Sequence, residues 1–386
     1  MPNRAPMKRL RNTLLTIFFW APWVARADGL DWYVVNNLGD SIFPSFEIAT
    51  ATLSPNQKMS RHLQSLLVRV VVPSRQTDLL VTVAANKFLH ESKTEEQQLK
   101  PGVHFIPLKL LWDFDALLAV AEPRPEAFTF RILVNGQPAG ERSLTYEVRS
   151  INDCLRSFTE PLSKRQVETY AIFAAYVDEN EPTIDRILHE ALRQKLLPSF
   201  PEKTKDRAQL MRAMSAVWTV LQSLGVKYSS IARESALSHN VASQHVRLFG
   251  DSVSNSEANC VDGSALLASI FVKLGWGHPF LVLIPGHCYL GVDFDSGFHD
   301  TLCVETTMIG SRATFQSAVQ KGDQQFARDL PHIQAREAGF RTISIDQARR
   351  AGIQALPEPK GSEPVLNFAP SADSTSNIPQ QGTSAR

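Results

Sequence analysis

Apolar positions recur along this chain at two different spacings, and the spacing changes near Ser150. Before that point they come in short runs: Trp32 to Val35, Phe46 to Leu53, Leu66 to Val72, Leu79 to Val83, His104 to Leu111, Phe128 to Val134 and Leu144 to Val148. Gly, Pro, Asn and charged residues punctuate them, and Asn135-Gly136 is a strong hairpin turn. About seven short strands at such intervals predict a β-sandwich over residues 28–150, immunoglobulin-like in outline. No cluster of chemistry-bearing residues appears there, so the stretch reads as a binding or spacing module.

After Ser150 the period lengthens. Ile184, Ile187, Leu188, Ala191 and Leu192 share one face of a helix expected over 183–196, with Pro182 at its start. Leu210, Met214, Val217 and Leu221 do the same over 208–224, and Gly225 closes that helix. An earlier helix is expected from Lys164 to Val177, and a polar segment, Val241 to Leu248, follows the helical block. Val261, Ala265, Ala268 and Val272 then predict a helix that starts at Cys260 and stops at Gly275. Asn255, Ser256 and Asn259 can each accept its free N–H groups. Phe280 to Ile284, between Pro279 and Pro285, reads as a buried strand, and His287 to Val292 as its return after Pro285-Gly286. Thr301 to Thr307 is the next expected strand and contains Glu305. Phe340 to Ile345 is another, followed by a short helix to Gly352 capped by Asp346. Residues 354–386 are rich in Pro, Ser and Gln and lack an apolar pattern from Leu356 onward, which predicts a disordered tail.

Composition adds boundaries to this picture. With 386 residues the chain is long enough for two domains, and 43% hydrophobic with 20% charged content describes a globular protein. A net charge of +1, with no basic stripe interleaved with aromatics, argues against a nucleic-acid partner. The N-terminus has basic Arg4, Lys8, Arg9 and Arg11, an apolar run from Leu14 to Val24, and Ala25-Arg26-Ala27 before Asp28. These features predict a signal peptide over residues 1–27 and a periplasmic or secreted protein. Its apolar run is too short to span a bilayer, so no membrane span is expected after cleavage.

The candidate chemistry lies between Asn259 and Glu305. A thiol at a helix N-terminus feels the helix dipole, which favours its anion. A nucleophilic thiol needs a base, and the base needs an orienting group. Cys260, His287 and Glu305 supply these roles in that chain order, with His287 and Glu305 on consecutive expected strands. The Cys260 N–H and the Gln244 side chain are candidate oxyanion donors, with Tyr228 behind them. The other thiols are Cys154, Cys288 and Cys303, too few for a disulfide scaffold. With His287 and Glu305 facing each other, strand alternation puts Cys303 on their side and Cys288 on the other. A zinc site from His278, Cys288, His299 and Cys303 lacks the tight paired spacing of structural sites, and Asp293 to Gly297 reads as a turn rather than a calcium loop. No metal or cofactor is therefore expected.

The motifs Gln244-His-Val-Arg247, Asn259-Cys-Val-Asp262, Gly275, Pro285-Gly-His287 and Glu305-Thr-Thr resemble the bacterial transglutaminase-like superfamily, within the papain-like cysteine fold. The resemblance covers residues 151–353 with the leading helices. It implies a cysteine helix packed on an antiparallel sheet, with Cys260, His287 and Glu305 as nucleophile, base and acid. Glu305 stands where the family more often has Asp, and Val261 where many animal-type members have Trp. Asp262 and Arg247 belong to the matched motifs and read as a helix cap and its ion-pair partner. The expected fold is α+β, an immunoglobulin-like β-sandwich followed by a transglutaminase-like domain. The expected function is an exported cysteine-dependent hydrolase or acyltransferase acting on amide bonds of a protein or peptide. The alternative is a non-catalytic envelope protein that uses the same domain as a binding platform.

Overall fold

The computed structural model describes residues 30–361 apart from 74, 203–205, 230–235, 239 and 296, together with 366 and 368. The expected signal peptide, residues 1–27, and its cleavage point at Asp28 lie outside them.

The first part contains β1 (Asp31–Asn36), β2 (Ser41–Ile42), β3 (Leu66–Val72), β4 (Thr77–Val83), β5 (Leu89–His90), β6 (Ser92–Leu99), β7 (Gly102–Pro107), β8 (Leu111–Trp112), β9 (Arg124–Val134) and β10 (Gln137–Val148). Three short helices, α1 (Pro44–Ala49), α2 (Pro55–Ser60) and α3 (Phe114–Leu118), lie between them. The strands form a three-stranded sheet, β1-β3-β7, a five-stranded sheet, β2-β10-β9-β4-β6, and the small pair β5-β8. Asn135 and Gly136 both have positive φ and join β9 to β10, as the hairpin reading requires. Phe46 to Leu53 is not a strand. Pro44 starts a helix there, and all six residues of α1 are buried, so neither helical nor strand periodicity is visible. Strand β6 escaped notice for the opposite reason: it is an edge strand whose residues alternate mostly between half-buried and exposed.

The second part contains β11 (Asp153–Thr159), β12 (Gln166–Glu168), α4 (Pro182–Arg193), α5 (Arg207–Ser223), β13 (Lys227–Tyr228), β14 (Ala236–Ser238), β15 (Val241–His245), α6 (Phe249–Ser254), β16 (Glu257–Ala258), α7 (Cys260–Leu274), β17 (His278–Ile284), β18 (His287–Asp293), β19 (Thr301–Val304), α8 (Phe315–Gln334), β20 (Arg341–Ser344) and α9 (Ile345–Arg350). The helix expected over 164–177 does not form. Lys164 has φ 59°, β12 pairs antiparallel with β11, and Tyr170–Tyr176 is a 3-10 turn. The polar segment after Val241 is strand β15, which pairs with β11. Helix α8 has no counterpart in the sequence reading, because its apolar stripe is sparse. It lies against β19 so closely that a Cβ at Gly322 would collide with the Cys303 carbonyl. Ser344, not Asp346, caps α9, and Asp346 sits in its first turn.

Sheet order β19-β18-β17-β20 forms a platform with α7 packed on one face and α8 on the other. Leu281, Cys288, Leu290 and Val304 join the main core on the α7 side, while Phe280, Val282, Tyr289 and Cys303 pack with Phe326 of α8. Cys288 and Cys303 thus point to opposite faces. The ladders are antiparallel except β2-β10 and β13-β16, and the chain as a whole is a mixed helix-and-sheet protein compatible with the α+β class.

The spacing change at Ser150 is not a gap in packing. One cluster of buried side chains runs from Trp32 to Leu356. Helix α1 packs on β11 and on the Tyr170–Tyr176 turn, and the Ser45 hydroxyl donates to the Asp153 carbonyl at 2.6 Å. The tail reading also needs correction at its start. Leu356 is buried, its N–H donates to the Ala175 carbonyl at 2.8 Å, and Glu358 accepts from the Gly250 N–H at 2.6 Å. Leu366 and Phe368 are partly buried against the core, and the rest of the tail beyond Gly361 lies outside the described residues. Among the described residues no helix is long and apolar enough to cross a membrane.

Candidate active site

Helix α7 begins where its capping chemistry says it must. Asn259 is the N-cap; its side-chain oxygen accepts from Val261 N–H at 2.8 Å and Asp262 N–H at 3.0 Å. Asp262 returns the contact by accepting from the Asn259 N–H at 2.9 Å, which completes a capping box. The same carboxylate accepts from the Arg247 backbone N–H and guanidinium, both at 2.9 Å. Its side chain is buried; burial raises its pKa against the pull of Asn259 and Arg247. Asn259 also donates to the His245 carbonyl at 3.2 Å. The motif residues from β15 and α7 therefore pin the end of that strand to the helix start. Gly275, at φ 66°, provides the left-handed cap at the other end.

Cys260 is the first helical residue. Its N–H has no acceptor among the described residues, as is usual at the first position of a helix. It is also the one thiol of the four that reaches the surface; Cys154, Cys288 and Cys303 are buried, and burial raises each of their pKa values.

His287 follows the two-residue turn Pro285-Gly286, in which Gly286 has φ 76° and Ile284 pairs with His287. The imidazole Nε2 lies 2.9 Å from Glu305 Oε2, and Cys260 is the other group that acts on the ring. The hydrogen bond with Cys260, then that with Glu305, outweighs burial and pushes its pKa up to about 10. The ring stacks on Tyr289 at 6.1 Å, and the Tyr289 hydroxyl donates to Asp329 of α8 at 2.9 Å. Helix α8 thus supports the His287 ring through Tyr289.

Glu305 does not lie within a strand. Strand β19 ends at Val304, and Glu305 caps the 3-10 turn Thr306–Met308. Burial raises its pKa, but hydrogen bonds from His287 and Thr307 outweigh this and hold it below the usual value. Its Oε1 accepts from the Thr307 hydroxyl at 2.6 Å and the Thr307 N–H at 3.2 Å. Thr306 reaches the other way, to the Cys260 carbonyl at 3.3 Å.

Tyr228 comes to the site through the parallel pair β13-β16, where it faces Ala258, two residues before the thiol. It is 43% exposed, and burial followed by the negative charges of Cys260 and Glu305 raises its pKa. Gln244 sits on β15 opposite Cys154, half-buried, and its side chain has no partner among the described residues. The structure thus brings Cys260, His287, Glu305 and Tyr228 together, and fixes Asp262 and Arg247 as supports. Gln244 lies on the strand tied to the helix start. The sequence reading carried Thr306 and Thr307 in the Glu305-Thr-Thr motif but gave them no role, and it did not single out Ser264 or Tyr289. A hydroxyl residue two places after a turn carboxylate was the available signal for Thr307.

The weighed zinc ligands are dispersed. His278 pairs with Asp346 at 2.6 Å, His299 with Asp295 at 3.2 Å, and Cys288 and Cys303 are on opposite faces of the sheet. Among the described residues no three such side chains converge on a metal position. Asp293 and Asp295 accept backbone N–H groups of their own loop. No family model and no curated protein matches the chain.

Proposed function

We propose that this chain is an exported, thiol-dependent enzyme of the transglutaminase-like type that hydrolyses or transfers amide bonds of a protein or peptide. In this reading β1–β10 form an immunoglobulin-like module, and the catalytic unit follows it. The observation that carries the reading is His287 held 2.9 Å from the buried Glu305 and under the influence of the partly exposed Cys260 at the start of α7.

The Cys260 thiolate attacks the carbonyl carbon, and the oxyanion takes the Cys260 N–H, with Gln244 as the second donor. The His287 imidazolium gives its proton to the leaving amine as the C–N bond breaks, leaving an acyl thioester. Neutral His287 then removes a proton from water or an incoming amine as that nucleophile attacks. Collapse of the second tetrahedral intermediate releases acid or new amide and restores the thiolate–imidazolium pair. Glu305 keeps Nε2 engaged, so the ring stays aimed at the thiol. No cofactor takes part in this scheme. The signal-like N-terminus supports export.

The test is the pH profile of Cys260 alkylation by iodoacetamide, with Cys260→Ala as blank. The reading expects labelling well below about pH 8.5, the free-thiol pKa, and an upward shift of the profile in His287→Ala. An unmoved profile in His287→Ala sinks the enzyme reading and favours a non-catalytic binding platform.

A further inference from the structure

Glutamate has three rotatable side-chain bonds, and an imidazole held by one carboxylate oxygen leaves the other oxygen to be satisfied. Glu305 is only 7% exposed, so water is a poor source of that satisfaction and an unpaired oxygen there would be costly. The Thr307 hydroxyl at 2.6 Å and N–H at 3.2 Å both land on Oε1, while Oε2 faces His287. Two donors from one residue fix both the rotamer and the plane of the carboxylate.

The neighbouring threonine anchors the same turn to the nucleophile. The Thr306 and Ser264 hydroxyls both donate to the Cys260 carbonyl, at 3.3 and 2.7 Å, and they lie 3.1 Å from one another. Both residues are buried, and Thr306 packs within van der Waals contact of Gly263 in the first turn of α7. The acid and the thiol are thus set relative to one another by two adjacent side chains that point in opposite directions.

We propose that Thr307 is the positioning residue that orients Glu305 for His287, with Thr306 and Ser264 as the anchor that holds this turn against the first turn of α7. The proposal rests on the thiol-enzyme reading. If Thr307 merely capped a turn, its loss would change stability and leave the ionisation of the thiol alone. If it positions the acid, losing the hydroxyl lets the imidazolium drift from the thiolate, and the acid limb of the labelling profile moves to higher pH.

The experiment measures iodoacetamide labelling from pH 5 to 9, in the full chain, for wild type, Thr307→Val, Thr307→Ala, Thr307→Ser and His287→Ala, with Cys260→Ala as blank and melting temperature in parallel. Thr307→Val should lower the rate at pH 6 about fivefold, the effect of one lost hydrogen bond. Thr307→Ala should behave alike and stands in should the valine not fold. Thr307→Ser should stay within about twofold of wild type, because the donor is retained. Profiles of Thr307→Val and Thr307→Ala that superpose on wild type, while His287→Ala shifts, overturn this proposal and leave the enzyme reading intact. A serine variant as impaired as the valine also overturns it, since the hydroxyl would then not be the cause. An unshifted His287→Ala overturns the enzyme reading and this proposal with it.

Discussion

His287 carries a measurable signature. Its pKa is raised from 6.5 to about 10, so its contribution to folding stability is complete below about pH 6.5 and is lost as pH rises through about 10. Titration of its ring protons by NMR should show imidazolium persisting through pH 8. The Cys260 hydrogen bond is the largest cause, so Cys260→Ala should move the midpoint down, and an unmoved midpoint would separate the two groups. Glu305→Gln keeps the shape but removes the charge; on the proposed thiol-enzyme reading it should reduce amide-bond turnover less than Cys260→Ala or His287→Ala does, because orientation would be only part of the effect. Identities at this scale were legible: a thiol after an N-cap residue and a histidine after Pro-Gly announce themselves. The role of Thr307 was not, because a hydroxyl gains its meaning only from the carboxylate that folds back onto it.

Among elements, α7 and its tether to β15 bear most of the site's rigidity. Asp262→Ala leaves Arg247, whose side chain is 14% exposed, with only Glu257 at 3.6 Å, and should cost about 3 kcal/mol in urea unfolding, the low end for loss of one partner of a buried pair. Asn259→Ala should cost about 1 kcal/mol, the usual worth of an N-cap. The turn after Glu305 also touches the Tyr228 strand directly. A Cβ at Gly310 would collide with the Lys227 Cα, so Gly310→Ala should push β13 away and lower the melting temperature. Helices α4, α5 and α7 were readable from their apolar stripes or caps. Helix α1 was not, since a helix buried on every side has no polar face to mark its period. Helix α8 was missed because its buried face, Phe315, Ala318, Val319, Gly322, Phe326 and Asp329, holds few large apolar residues and includes a charged one.

For the whole molecule, the segment after Gly352 is part of the packing. Ending the chain at Ala355 should lower stability by about 2 kcal/mol or more through the loss of buried Leu356, a difference thermal unfolding would register. Glu358 adds a pH dependence. Burial, reinforced by the charges of Glu181, Asp251 and Asp178 against the Gly250 N–H, pushes its pKa up to about 7. The folded state therefore keeps a proton that the unfolded chain has released, and stability should fall as pH rises from about 4.5 to about 7. Glu358→Gln should flatten that part of the stability profile.

Local patterns sufficed wherever the physics is local. Caps, turns and one-sided apolar stripes depend on residues a few places apart, so the start and stop of α7, the hairpin at Pro285-Gly286 and the order of Cys260, His287 and Glu305 were written in the chain. Tertiary structure alone decided what depends on distant partners. It ended β19 at Val304 and turned Glu305 back toward His287, because Glu305 N–H is taken by the Ala318 carbonyl of α8 and its carboxylate by Thr307. It drew Leu356 and Glu358 onto the body, where only the Ala175 carbonyl and the Gly250 N–H of remote segments could receive them. It also joined the two halves into one core, since a buried surface is complete only when the element that covers it arrives from elsewhere in the chain.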